Sequence, residues 1–168
     1  MTWIGGATGN WFDPANWVGG AVPDLSNVAN VVIPSGKTVS FDTSGAVSPA
    51  DASQAVNISS LGSAGSLTQT NGTLNIGSGG MTLNSYTQSG GTLTNAGTTS
   101  LTNYTQSGGS FTGTGNFSTA TLSQTGGTTS VTGDFTTTDS FSQSTSGSVT
   151  VSGNTHMRQL KEQGVDIV

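Results

Sequence analysis

Residues 86–113 read YTQSGGTLTNAGTTSLTNYTQSGGSFTG and contain two almost identical phrases, which begin at Tyr86 and Tyr104. Three related phrases stand elsewhere in the chain: LTQTNGTL from Leu67, LSQTGGTTSV from Leu122 and FSQSTSGSV from Phe141. The five glutamines fall at 69, 88, 106, 124 and 143, so the copies are 19, 18, 18 and 19 residues apart. A fixed period of this size is typical of a solenoid, in which each copy forms one turn and buries its apolar side against the next.

The composition indicates an all-β chain. The 168 residues include 25 Ser, 29 Thr and 26 Gly, whereas only 7% are charged, so Glu, Lys and Arg are too scarce to build helices. Threonine favours strands, and Gly and Asn favour turns. Low-complexity sequence can also be disordered, but disorder normally accompanies high net charge and no apolar period. Here the net charge is only −5 and the apolar residues recur regularly, which favours a folded solenoid.

Aligning the copies gives three columns of apolar residues. The first is Leu67, Tyr86, Tyr104, Leu122 and Phe141, the second is Leu74, Leu93, Phe111, Val131 and Val149, and the third is Leu83, Leu101, Phe117 and Phe135. Three short strands per turn, separated by Gly-rich corners, predict a three-walled parallel β-helix with about 18–20 residues per turn. An 18-residue turn is compatible with either hand, but the absence of the hexapeptide aliphatic spacing favours a right-handed coil.

The chain divides into three regions. We expect an N-terminal cap over residues 1–27, a β-solenoid over 28–155 with regular repeats from about residue 57, and a C-terminal tail over 156–168. Trp3, Trp11 and Trp17 lie within the first region. The end turn of a solenoid exposes core and strand edges, so we predict that the three indoles close it. The alternative is an aromatic platform on which a sugar ring stacks.

The tail differs from the repeats in composition. Residues 158–168 contain two of the three cations and the only glutamate, and they suit a short helix followed by an extended end. One interpretation is a C-terminal cap with Leu160 over the last turn. The other is vector-derived sequence, because His156-Met157 is what a common cloning junction encodes.

The repeated glutamines invite two interpretations. Side-chain alternation places Gln88 on the same side as Tyr86, which buries it unless a corner intervenes. We predict a structural ladder of hydrogen-bonded amides, one per turn, formed by Gln69, Gln88, Gln106, Gln124 and Gln143. A row of ligand-binding groups is the alternative.

Hydroxyl residues are expected to line the outside of the coil. The predicted row pairs residues around one inward side chain in four turns: Thr92 and Thr94, Ser110 and Thr112, Ser130 and Thr132, and Ser148 and Thr150. A flat Thr-x-Thr array is typical of ice binding. Against that function, Ser replaces Thr at several of these positions, and the other walls are as rich in hydroxyls. We therefore expect a solvated surface.

The net charge and the scarcity of ionisable side chains argue against several classes of function. The acidic pI of about 4.1 and a single cation before residue 158, Lys37, argue against nucleic acid or an anionic membrane as partner. No apolar run reaches the roughly 20 residues that span a bilayer. His156 is the only histidine and lies in the tail, while Asp134 and Asp139 are the only acidic residues from 67 to 153. We expect no enzyme activity, no cofactor and no metal site.

Two segments resemble a known class of proteins. The first is the pattern W-x-G-G-x-x-G-x-W-x-D-P-x-N-W-x-x-G-x-x-P from Trp3, followed by VVIPSGKTV at 31–39, and the second is the repeated YTQSGGTL phrase. Together they resemble large bacterial surface proteins of the filamentous-haemagglutinin and autotransporter kind. The resemblance covers about residues 2–153 and implies a secreted, right-handed β-helix within a fibrous adhesin. It supplies no catalytic residues.

The sequence therefore predicts a structural or adhesive module of a secreted bacterial surface protein, although the chain carries no signal peptide. The sequence does not identify the ligand of this module, and a glycan on a host or other surface is one candidate. The alternatives are a self-assembling extracellular filament subunit whose copies stack end to end, and an ice-binding or carbohydrate-binding solenoid.

Overall fold

The chain folds as an all-β, parallel solenoid of about five turns, which confirms the predicted fold class. The structure is a computed structural model, and it describes residues 1–47, 52–157 and 160–162. Two 3-10 turns, Pro14–Asn16 and Thr43–Gly45, interrupt the N-terminal part.

Fifteen strands form the coil. They are β1 (Thr8–Asn10), β2 (Asn30–Val32), β3 (Thr38–Phe41), β4 (Val56–Gly62), β5 (Ser66–Gln69), β6 (Thr73–Gln88), β7 (Thr92–Asn95), β8 (Thr99–Gln106), β9 (Ser110–Gly113), β10 (Phe117–Gln124), β11 (Gly127–Val131), β12 (Phe135–Gln143), β13 (Gly147–Val151), β14 (Thr155–Met157) and β15 (Leu160–Glu162).

The strands make three walls. Wall A carries the glutamines and consists of β1, β3, β5, the C-terminal parts of β6, β8, β10 and β12, and β15. Wall B consists of the N-terminal parts of β4 and β6, then β7, β9, β11 and β13. Wall C consists of β2, the C-terminal part of β4, the middle of β6, the N-terminal parts of β8, β10 and β12, and β14. Every one of these pairings is parallel.

Stacked glycines form the corner between walls A and B. Gly91, Gly109 and Gly127 have φ angles of +73°, +76° and +80°, a left-handed conformation that glycine adopts without strain. A Cβ atom on Gly109 would lie 2.8 Å from the carbonyl oxygen of Gly90 in the turn below. The Gly-Gly pairs therefore let successive corners stack in contact and fix the register of the turns.

The first predicted apolar column is confirmed. Leu67, Tyr86, Tyr104, Leu122 and Phe141 stand opposite one another, all buried, and Val39 extends the column in the N-terminal direction. The rings of Tyr86 and Tyr104 stack with centroids 5.6 Å apart and planes 5° apart. Like side chains thus repeat along the axis at the spacing of the strands.

The third predicted column is wrong, because it joins two columns. Leu83 and Leu101 stack with Thr119 and Thr137, whereas Phe117 and Phe135 stand over Met81 and Thr99. Both columns point inward, two residues apart on wall C. Between β8 and β10 the large side chain moves from the second inward position (Leu101) to the first (Phe117). A buried threonine fills the other position in each strand, Thr99 on β8 and Thr119 on β10. Such an exchange keeps the volume of the core nearly constant.

The second predicted column is wrong at Val131. Thr129, not Val131, stands between Phe111 and Val149, and Val131 lies opposite Gly113 and Val151. Apolar character suggested the alignment on Val131, but the stacked Gly-Gly corner sets the true register. A threonine therefore occupies an interior position that other turns fill with Leu, Phe or Val.

The N-terminal segment begins the coil as well as closing it. Thr2 pairs with Val32 in parallel, and β1 pairs with β3, so parts of residues 1–27 belong to walls C and A. On the side of residues 2–4 that faces away from β2, Trp17 forms an antiparallel bridge with Trp3. This crossing segment covers the end of wall C.

The tail extends the coil. Strand β14 pairs with β12 on wall C, and β15 pairs with β12 on wall A, where Leu160 stands opposite Phe141. The predicted helix is therefore wrong over Leu160–Glu162, which is a strand, and the predicted position of Leu160 over the last turn agrees with this register. Residues 158, 159 and 163–168 lie outside the described residues.

Candidate functional site

The five glutamines form one continuous inward column. Gln69, Gln88, Gln106, Gln124 and Gln143 stand opposite one another in successive turns, and each is at most 4% exposed. Phe41 occupies the same position in the turn before Gln69. A row of groups for an external ligand would have to reach solvent, and these amides lie inside the coil.

A chain of amide hydrogen bonds links the three central glutamines. Gln106 Nε2 donates to Gln88 Oε1 at 3.0 Å, and Gln124 Nε2 donates to Gln106 Oε1 at 2.7 Å. At one end, the Tyr86 hydroxyl takes the place of an amide donor and binds Gln69 Oε1 at 2.6 Å. At the other end, Gln124 Oε1 and Gln143 Oε1 are buried and have no hydrogen-bond partner within the described part of the chain. Amide-to-amide bonds therefore connect three of the five predicted residues.

The same amides also form hydrogen bonds to the backbone of the next turn, near the corner between walls A and B. The Nε2 groups of four glutamines donate to the carbonyl of the first wall B residue one turn ahead: Gln69 to Thr92, Gln88 to Ser110, Gln106 to Thr128 and Gln124 to Ser148, all at 2.9–3.0 Å. Three of these carbonyls, those of Thr92, Ser110 and Thr128, belong to residues that directly follow a left-handed glycine. The glutamine side chain thus adds a hydrogen bond between the end of wall A in one turn and the start of wall B in the next.

Thr129 completes this interior network, and sequence analysis did not identify it. Its hydroxyl donates to Gln106 Oε1 at 2.8 Å and lies 3.0 Å from the Tyr104 hydroxyl. Thr129 is 1% exposed, so both hydrogen bonds are shielded from water. The available signal was the doubled threonine in Gly-Gly-Thr-Thr-Ser-Val, where the preceding copies have a single hydroxyl residue before the apolar one.

Both tyrosines of the chain are buried, and burial raises their pKa values. The Tyr86 pKa is well above its usual value because the phenol is desolvated and because Tyr104 lies beside it. Desolvation also raises the Tyr104 pKa, while the hydrogen bond with Thr129 acts in the opposite direction. The two phenols are therefore neutral hydrogen-bonding groups of the core at physiological pH.

The outward hydroxyl row differs from its prediction in one turn. Wall B brings together two columns, Thr92, Ser110, Thr128 and Ser148, and Thr94, Thr112, Ser130 and Thr150. Ser130 therefore stands over Thr112 instead of Ser110, and Thr132 follows the end of β11, outside the row. The cause is the register fixed by the Gly-Gly corner. Residues from Thr112 to Thr150 in these columns are exposed, whereas Thr92, Thr94 and Ser110 are half-buried.

Wall B is a regular face of the coil from β6 to β13. The pairings among its strands from β6 to β13 contain no register shift, whereas the β10–β12 pairing shifts between Thr119 and Thr121, where wall C turns into wall A. The two wall B columns contain no charged side chain. This wall can thus present uncharged hydroxyl and methyl groups at the strand spacing.

The three tryptophans form one buried cluster at the N-terminal end. Trp3 and Trp17 pack edge to face with centroids 5.1 Å apart, and Trp11 and Trp17 do so at 4.9 Å. The Trp17 indole donates to the Trp11 carbonyl at 2.7 Å, and the Trp3 indole donates to the Gly6 carbonyl at 3.1 Å. All three rings are at most 2% exposed. No indole face is therefore open for a sugar ring to stack on.

The remaining aromatic side chains are also buried. The six phenylalanines and two tyrosines belong to the same core as the indoles. A ligand on the surface of the coil would therefore find no exposed aromatic ring, because all eleven aromatic side chains of the sequence are buried.

Two acidic side chains, Asp42 and Asp134, accept hydrogen bonds at turns of the coil. The Ser44 hydroxyl and the Asn71 amide donate to the Asp42 carboxylate, and these bonds, with Ser44 first, lower the Asp42 pKa against the opposing effect of burial. Asp134 accepts from the backbone N–H of Asn154 at 2.9 Å. Within the described residues, no group of three or more His, Cys, Asp or Glu side chains is arranged to hold a metal ion.

Two open clefts lie near the ends of the coil. One, of about 380 Å³, is lined by Val22, Asp24, Leu25, Ser26 and residues 54–57. The other, of about 370 Å³, is lined by Thr136, Thr137, Thr138, His156 and Met157. In the second cleft the buried Thr137 hydroxyl has no hydrogen-bond partner among the residues that the structure describes.

No protein-family model matches this chain, and comparison with curated proteins and with solved structures finds no match either. In the part of the chain that the structure describes, no helix has the length and apolar character to cross a lipid bilayer.

Proposed function

We propose that this chain is a non-catalytic structural and adhesive module of a secreted bacterial surface protein. The observation that carries the proposal is that different side chains face the inside and the outside of the coil. The large apolar side chains and the glutamine amides face inward and hold successive turns together, while wall B from β7 to β13 presents only hydroxyl side chains outward. Such a rod offers an extended surface instead of a catalytic pocket.

Sequence resemblance supports the bacterial surface part of the proposal. The Trp-rich pattern and the repeated YTQSGGTL phrase resemble filamentous-haemagglutinin and autotransporter proteins, and both segments lie in the coil. The Trp-rich pattern forms the closed N-terminal end, and the repeated phrase forms wall A, its corner and the start of wall B. The residues that carry the resemblance are thus those that the solenoid needs for packing and register.

Adhesion would use the outward hydroxyls. Because the aromatic side chains are buried, a glycan ligand would be held by hydrogen bonds to Ser and Thr along a wall and not by stacking. Each such contact is weak, since the hydroxyls are already solvated, so binding would depend on many contacts repeated along the rod.

Bead adhesion under flow tests the proposal. Beads coated with the chain should be retained on epithelial cells or on immobilised glycans several-fold better than albumin-coated beads. A variant lacking the three exposed hydroxyls of one wall B column, Thr112→Val with Ser130→Ala and Thr150→Val, should lose most of this retention. The matched control removes equally exposed hydroxyls of wall A, Thr105→Val with Ser123→Ala and Ser142→Ala. Retention no better than albumin on every surface would refute the adhesive role.

A further inference from the structure

The corner between walls C and A projects at one turn of the coil. Four residues, 62–65, lie between the paired positions at the end of β4 and the start of β5, whereas three, 82–84, lie between their partners in β6. In the longer corner Ser63 and Ala64 are exposed, and Ser63 has a φ angle of +97°. Non-glycine residues with such a strained backbone cluster at ligand-binding and catalytic sites. This loop is therefore a candidate edge of a binding site.

A groove lies beside the loop. It has a volume of about 340 Å³ and is lined by Ser63, Ala64 and residues 82–84 and 100–102, which come from three successive turns. We call it the corner groove. Its volume is within the range of about 300–1,000 Å³ that is usual for small-ligand sites. Its lining lies entirely within residues 52–157, which the structure describes without a gap.

The corner groove combines an aliphatic floor with a polar rim. At the floor Leu83 and Leu101 stand opposite each other, and Leu101 is 7% exposed, more than most residues of the core. Four exposed side chains form the rim: Thr82, Asn84, Ser100 and Thr102. Among the described residues, none of these four side chains forms a hydrogen bond with another protein group. Their hydroxyl and amide groups are therefore available to a ligand.

The chemistry of the lining favours a neutral ligand that is rich in hydroxyl groups. None of the lining residues is charged, so an anion or a cation would lose hydration without gaining a counter-charge. The hydroxyls and the asparagine amide both donate and accept hydrogen bonds, as the alcohol groups of a ligand also do. The leucine floor is matched by C–H groups. A hexopyranose ring carries both kinds of group, because its hydroxyls surround a ring of C–H groups.

We propose that the corner groove binds one neutral hexopyranose unit. The C–H groups of the sugar ring pack against the leucine floor, and its hydroxyls form hydrogen bonds with the four side chains of the rim. The loop at Ser63 and Ala64 limits the groove on its N-terminal side and fixes where the ring can lie. The groove is at the corner between walls C and A, so this site is separate from wall B and does not depend on the adhesive function of that wall.

Heteronuclear NMR of the ¹⁵N-labelled full chain tests the site. Methyl glycosides of glucose, galactose, mannose and N-acetylglucosamine are added separately, each up to about 50 mM. At least one of them is expected to shift the amide signals of residues 82–84 and 100–102, with a dissociation constant on the order of 1–10 mM. Asn84→Ala with Thr102→Ala removes two groups of the rim and should weaken this binding about tenfold.

The matched control removes two exposed hydroxyls of wall A, Thr105→Ala with Ser123→Ala, and should leave the dissociation constant unchanged. Circular dichroism checks that both variants are folded. Cyclohexanol, a ring of similar size with a single hydroxyl, separates a sugar site from a general apolar one, and it should shift the same signals less than the glycoside does.

Three results would overturn the proposal. One is the absence of shifts at residues 82–84 and 100–102 with all four glycosides. Another is binding that the Asn84→Ala, Thr102→Ala variant retains in full, and the third is an equal or larger response to cyclohexanol. The shifts are read residue by residue, so the bead experiment is judged separately. A chain that binds the glycoside in the groove but retains no beads would refute adhesion and leave the sugar site standing.

Discussion

The Thr129 hydroxyl lies 3.0 Å from the Tyr104 hydroxyl inside the coil, at a position that the neighbouring turns fill with Phe111 and Val149. A buried hydroxyl is tolerated there because Gln106 Oε1 also accepts from it. One polar network thus joins a strand of wall A to a strand of wall B across the core. Through Thr129, the glutamine column is hydrogen-bonded to the buried phenol of Tyr104.

Removing the Thr129 hydroxyl should destabilise the coil. Thr129→Val keeps the shape but leaves the Tyr104 hydroxyl without its partner, so we expect a loss of about 1–3 kcal/mol in the free energy of unfolding, measured by urea denaturation. The exposed neighbour Thr128→Val should change it by less than about 0.5 kcal/mol. In a double-mutant cycle, Thr129→Val should cost less in a Tyr104→Phe background. Additive effects would contradict the direct coupling.

Replacing the central glutamine, Gln106, should lower the free energy of unfolding more than replacing the last one, Gln143. Gln106→Leu removes donors to Gln88 and Thr128 and the acceptor for Gln124, so a loss of about 2–5 kcal/mol is expected. Gln143→Leu is the matched control, because among the described residues its Oε1 has no partner and its Nε2 donates only to the Gly147 carbonyl. We expect a cost of about 1 kcal/mol there. Equal costs in urea denaturation would show that the amide chain does not stabilise the coil.

Alkaline pH should unfold the protein through its phenols. Burial raises the pKa values of Tyr86 and Tyr104 above the usual 10.0, so the folded state holds these protons more tightly than the unfolded state. Their contribution to stability is complete below about pH 10 and is lost as the pH rises above it. Tyrosinate absorbance should therefore appear together with loss of the β circular dichroism signal. Ionisation near pH 10 with the fold intact would contradict burial of the phenols.

The double Phe variant isolates this effect. Tyr86→Phe with Tyr104→Phe contains no ionisable phenol, so the part of the alkaline transition that depends on these groups should disappear. The variant also loses the bonds to Gln69 and Thr129, and its stability at neutral pH is the reference for the comparison.

Glycine substitutions should separate backbone strain from steric clash. Gly36 and Gly109 have nearly equal φ angles of +75° and +76°, but a Cβ at Gly36 meets nothing within 4 Å, whereas one at Gly109 approaches the Gly90 carbonyl oxygen to 2.8 Å. Gly36→Ala should cost about 1 kcal/mol from the φ angle alone. Gly109→Ala should cost roughly 3 kcal/mol or more, because the stacked corners must also separate. Thermal unfolding of both variants measures the difference, and similar costs would argue against close stacking of the corners.

Much of the architecture could be predicted from the repeat. The period at the glutamines located the turns, and the apolar column from Leu67 to Phe141 identified wall A correctly. The errors fell where an inward residue is not apolar, as at Thr129, or where the bulky residue changes place between two inward positions, as at Phe117. Pattern alignment follows hydrophobicity, whereas the register follows the stacked glycines and the summed volume of the core.

The sequence by itself determined the period, the all-β class and the burial of Gln88, because local propensity and side-chain alternation depend only on neighbours along the chain. The tertiary structure decided which amides bond to one another, that Tyr86 replaces an amide at Gln69, and that Thr129 enters the core. It also decided that Thr132 stands outside the hydroxyl row and that the segment around Trp17 covers the N-terminal end of wall C. These outcomes depend on which residues stand opposite each other in adjacent turns, and backbone stacking at the corners sets that register.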